Sequence, residues 1–139
     1  MVEFSELGEE EARIAIEAIR AELVRRGKAG VIAVGDSHGE LLALVRMDGA
    51  PLPSIEVATR KVLTAARERA ETGVLGRNFQ KNGWQMPNSD PRFTGWDGGI
   101  PVWFRGKLAG AVAVSGLDQA EDAEIARIGV AKVAERIGG

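Results

Sequence analysis

Apolar residues recur at helical spacing near the start of the chain. Ala12, Ile16, Ile19 and Leu23 fall on one side of a helix expected over residues 9–26, with Glu10, Arg13, Glu17 and Arg20 on the other. Glu9, Glu10 and Glu11 suit the positive end of that helix and Arg25 and Arg26 its negative end, before Gly27 stops it. The period then changes. Val31–Val34 and Leu41–Val45 are short apolar runs around the turn-rich Gly35-Asp36-Ser37-His38-Gly39-Glu40, which predicts a β-hairpin. Their near-continuous apolar character predicts cover on both faces.

A second helix is expected from Pro53 or Ser54 to Glu71, closed by Thr72-Gly73. Val57, Ala58, Val62, Ala65 and Ala66 form its apolar stripe, with Lys61 along the edge. From Gly73 to Gly98 no period holds, and the segment reads as a long irregular loop. Phe79, Trp84, Phe93 and Trp96 give it enough aromatic area to pack on something.

A second hairpin joins Ile100–Phe104 to Leu108–Ser115 about Arg105-Gly106-Lys107. In its last strand Ala109, Ala111, Ala113 and Ser115 share one face, small enough for a helix or another subunit to approach closely. Asp118 with Glu121 resembles a capping box opening a final helix over residues 120–136. Hairpins separated by helices predict an α+β layer fold on an antiparallel sheet of four strands, or five if the loop or a neighbouring subunit adds one. With neither repeat nor linker, residues 1–139 read as one domain.

Composition narrows the chemistry. The chain has no Cys, which excludes disulfides, Cys-zinc sites and a thiol nucleophile, and one His, which excludes a multi-histidine metal site within a chain. A net charge of −2 argues against nucleic acid as a partner. The acidic start and the lack of a long apolar run give no export signal or membrane span, so the cytoplasm is the expected location.

Val34-Gly35-Asp36-Ser37-His38-Gly39-Glu40-Leu41, leading to Arg46-Met47-Asp48-Gly49-Ala50-Pro51, resembles the GlcG/HbpS family of haem-binding or haem-degrading domains, which includes the C-terminal domain of PduO-type proteins. The likeness continues through Lys61-Val62-Leu63-Thr64-Ala65, Gly98-Gly99-Ile100-Pro101-Val102 and Gly110-Ala111-Val112-Ala113-Val114-Ser115-Gly116. It implies a profilin-like, three-layer α/β/α fold, a homo-oligomer and a small-molecule ligand, with haem as a possible cofactor. The Trp-bearing loop departs from the family pattern.

His38 is the main candidate haem ligand or acid/base group, at a hairpin tip where an exposed turn residue is the plainer reading. Lys61, which the family pattern also carries, is a candidate carboxylate binder or general base. Asp36 and Arg46 flank the hairpin and could orient these groups. Gly98, Gly99 and Ser115 offer backbone amides to an anion. Trp84 and Trp96 suit a pocket wall or a subunit contact. Two functions follow. One is a small-molecule-binding protein for haem, a small carboxylate or an oxygenated metabolite. The other is a cofactor-independent lyase, isomerase or hydrolase with Lys61 or His38 as base. Either requires His38, Lys61 and the double glycine to share one enclosed space.

Overall fold

In the computed structural model, which describes residues 5–83 and 90–138, the chain runs α1 (Glu9–Arg25), β1 (Val31–Gly35), β2 (Leu41–Arg46), α2 (Ser54–Glu68), α3 (Thr72–Lys81), β3 (Gly99–Phe104), β4 (Lys107–Ser115) and α4 (Gln119–Ile137). The strands form one antiparallel sheet in the order β2-β1-β4-β3. Among the described residues there is no fifth strand.

Strand alternation sorts the side chains into two cores. Ile32, Val34, Ile100, Val102, Val112 and Val114 pack beneath α1 and α4, against Ile16, Ile19, Leu23, Ile125 and Val133. On the other face Val31, Ala33, Ala111 and Ala113 meet Ala58, Val62, Ala65 and Ala66 of α2. Each fully buried Val or Ile contributes about 1.5–3 kcal/mol. The result is a three-layer α/β/α fold. The alanine-lined face receives a helix of the same chain, and very closely: a Cβ added to Gly99 would stand 2.7 Å from the Lys61 carbonyl oxygen.

Several local expectations are corrected. α2 ends at Glu68 rather than Glu71, because Arg69 turns left-handed (φ 54°) without a glycine. The segment read as irregular opens with a helix, α3. Its buried face is Thr72, Gly73, Gly76 and Phe79, so helical periodicity is present but written largely in glycine. Those glycines are a packing requirement, since a Cβ on Gly76 would overlap the Gly95 carbonyl.

In β4 the strict alternation fails. Val102 pairs with Gly110 but Trp103 with Leu108, so Ala109 is the extra residue of a bulge. It turns to the α1/α4 core, where its carbonyl accepts the Leu7 amide at 2.8 Å. β2 is an edge strand, half-exposed along its length rather than covered on both faces. Asp118 occupies the N-cap of α4 but makes no side-chain cap bond, and Glu121 is drawn instead to Lys28 and Arg26. The cap-type bond occurs at α1, where Glu11 Oε1 accepts from the Gly8 amide at 2.8 Å.

Candidate functional site

Lys61 lies within the buried arc of α2, beside Ala58, Val62 and Ala65, and is 1% exposed. Its ammonium donates to the Val114 carbonyl at 2.8 Å and to Asp122 Oδ2 at 3.2 Å. Asp122 Oδ1 in turn accepts the Leu117 amide at 3.1 Å. Because α2 and α4 cover opposite faces of the sheet, this pair joins the two outer layers. Burial pushes Lys61 below its ordinary pKa, opposed by the charge of Asp122. Burial pushes Asp122 up to about 6, against the pull of Lys61 and the Leu117 amide.

The double glycine makes this crossing possible. Gly98 has φ +124°, and a Cβ there would stand 2.5 Å from the Val114 oxygen and 2.8 Å from Lys61 Nζ. The Gly99 amide donates to Thr72 Oγ1 at 3.0 Å, and Thr72 donates to the Trp96 carbonyl at 2.6 Å. Lys61 and the glycines therefore do meet, but on each other rather than around a cavity. The Gly99 amide expected to face an oxyanion is already bonded, and Lys61 presents no open side.

His38 does not join them. Its side chain is 77% exposed at the hairpin tip, with Nδ1 3.9 Å from Asp36 Oδ1. Asp36 builds the turn, its Oδ1 accepting the His38 and Glu40 amides at 2.8 and 3.1 Å. The tip follows Gly35, whereas Lys61 bonds Val114, the partner of Ile32. Three residues of strand, about 10 Å, separate those levels. Ser115 and Arg46 both sit opposite Val31, at the far end of β1, the first buried and the second exposed. The single enclosed space expected from the sequence is absent among the described residues, and Trp84 lies outside them.

The structure instead brings together a groove along the outer side of α2. One part, about 340 Å³, is lined by Pro53, Glu56, Val57, Arg60, Phe93, Thr94 and Trp96. An adjoining part of about 200 Å³ shares Glu56 and Arg60 and reaches Leu63, Gly39 and Arg92. The groove exists because the 90–97 segment folds back along the helix. Phe93 is buried there, the Thr94 amide donates to Thr64 Oγ1 at 3.0 Å, and Arg60 donates to the Pro91 carbonyl at 3.2 Å. Arg60 also pairs with Glu56 at 2.6 Å and Arg92 with Asp90 at 3.0 Å; Arg60 lines both parts of the groove and Arg92 the adjoining one.

Trp96, 55% exposed, is the residue of this groove that the sequence singled out as a site residue. Arg60 and Arg92 were missed, since an exposed arginine carries no local signal. Val57 was placed on the core side of the helix, but it faces the groove. Neither part of the groove is lined by His38.

Comparison with known proteins accords with this architecture. Residues 7–131 match the family described as haem degrading protein HbpS-like. Protein GlcG of Escherichia coli strain K12 is 35% identical over 117 residues, covering 78% of this chain and 81% of GlcG. A double mutant of Streptomyces reticuli HbpS superposes with a TM-score of 0.84 at 28% identity, over 94% of this chain and 89% of that one. A PduOC–haem complex gives a TM-score of 0.84 at 24% identity, over 92% of this chain and 95% of that one, a likeness of fold. With the family matched over nearly the whole sequence and GlcG above 30% identity, the chain belongs to the HbpS-like family.

Proposed function

We propose that this protein binds a planar, largely apolar carboxylate of the haem class in the groove over α2. The observation that carries this reading is the apolar surface of Val57, Phe93 and Trp96 beside Arg60, which the adjoining part of the groove shares and to which it adds Arg92. An aromatic macrocycle suits the exposed indole, and peripheral carboxylates suit planar guanidinium forks. The family's description as haem-degrading supports the same ligand class. Haem, when bound, supplies a redox-active iron. The chain's own part is to shield one ring face with Trp96 and to orient the carboxylates with Arg60 and Arg92. No bond from His38 is needed. Of the two bases named for a cofactor-independent enzyme, Lys61 is enclosed and His38 lines neither part of the groove, so that alternative has less support.

Titrating the haem-free protein with haem is expected to give a saturable Soret shift. Trp96→Ala and Arg60→Ala should each weaken binding by roughly tenfold, the loss of one stacking or charge-assisted contact. No saturable shift in the intact protein would remove haem and leave smaller carboxylates to be tried. Undiminished binding in both variants would remove the groove.

A further inference from the structure

We infer that Glu6, Asp36 and His38 form a binding site for a divalent transition-metal ion of the zinc type at the tip of the β1–β2 hairpin. One imidazole nitrogen and one oxygen from each carboxylate lie within 4.8 Å of one another, the one such group of three among the described residues. The residues come from two separate stretches of chain. Asp36 and His38 sit on the turn that Asp36 itself closes. Glu6 arrives from the segment before α1, fixed by its neighbour Leu7, which is 2% exposed and whose amide donates to the Ala109 carbonyl at 2.8 Å.

Hydrogen bonds already orient the carboxylates without using all their lone pairs. Glu6 Oε2 accepts the Ser37 amide at 3.2 Å and its hydroxyl at 2.5 Å. Both turn amides go to Asp36 Oδ1. The second oxygen of each carboxylate makes no hydrogen bond among the described residues. Charge provides a separate argument. No Lys or Arg among the described residues pairs with Glu6 or Asp36, and nearby Arg67 is engaged by Glu40 and the His38 carbonyl, both at 3.0 Å. Two carboxylates are thus gathered beside a single imidazole without a basic side chain to balance them.

One nitrogen and two oxygen donors match zinc and its neighbours in the first transition row, and leave positions for water. Calcium is disfavoured, since it takes six to eight oxygens. Donors around a zinc ion stand about 3–3.5 Å apart, so the donors must close by roughly an ångström, a movement that the exposed side chains of Glu6 and His38 allow while Asp36 stays held by the turn. Neither Glu6, Asp36 nor His38 lines the groove over α2, so this inference stands independently of the ligand proposed there.

The test uses the full chain without an affinity tag, haem-free, titrated with Zn²⁺ by calorimetry and with Co²⁺ by visible absorption. One equivalent per chain is expected, with a Co²⁺ spectrum that disappears in His38→Ala. Glu6→Gln keeps the shape of the side chain and should weaken binding at least tenfold. Both positions are exposed, and circular dichroism checks that the variants fold. Absence of a saturable equivalent would overturn the site, as would stoichiometric binding that survives in both variants.

Discussion

Replacing Lys61 by Met is expected to lower folding stability by about 3–5 kcal/mol at pH 8, the cost of leaving a buried charge without its partner. The ammonium is 1% exposed and bonds both the Val114 carbonyl and Asp122. With it gone, the Asp122 carboxylate keeps the Leu117 amide but loses its counter-ion. Burial already pushes this carboxyl from 3.8 up to about 6 with Lys61 present, and removing Lys61, which lowers it, raises it further.

A folded pKa above the unfolded one adds stability that is full below the unfolded value and lost as the pH rises through the folded value. The Lys61→Met penalty should therefore shrink at pH 5, where Asp122 takes up a proton, and grow toward pH 8. Urea denaturation at the two pH values measures this. Adding Asp122→Leu should restore most of the loss, because an apolar pair of similar volume carries no desolvation cost. A single variant as stable as the parent at pH 8 would refute the structural role given to the pair.

Gly98→Ala should cost about 2–4 kcal/mol, combining a strained left-handed backbone with overpacking. The new methyl would press on the Val114 oxygen and on Lys61 Nζ, and the oxygen belongs to strand backbone that cannot step aside. Gly106→Ala is the control. Gly106 also has a positive φ, +79°, but an added Cβ there meets nothing within 4 Å. Its loss should be about 1 kcal/mol, the backbone contribution alone. Equal losses at the two positions would show that the close approach at Gly98 has no energetic weight.

α1 and α4 were legible from a 3.6-residue apolar period, and the strands from short apolar runs bounded by turn residues. α3 was hidden because its contact face uses Gly73 and Gly76 where periodicity looks for Leu or Val. The Ala109 bulge was hidden because nothing local marks where an alternating strand slips by one residue. At the site, Lys61 and Gly98-Gly99 were expected to line one enclosed space and instead pack on each other, because a lysine at the rim of a cleft and one crossing a core have the same helical spacing. Burial by α4, distant in sequence, decides between them. The arginines of the groove became visible only when the 90–97 segment folded back over α2.

α2 serves two surfaces at once, and they differ in stiffness. Its inward side is locked by alanine contacts with the sheet and by the Lys61–Asp122 tie. Its outward side contributes Val57 and Arg60 to the groove, while the 90–97 segment that supplies Phe93 and Trp96 is pinned to the helix through Thr94 and Arg60. The width of the groove is therefore set by the few bonds that tie the 90–97 segment to α2, and Thr64→Val, which removes the acceptor of the Thr94 amide, is expected to alter the groove without disturbing the alanine contacts beneath the helix.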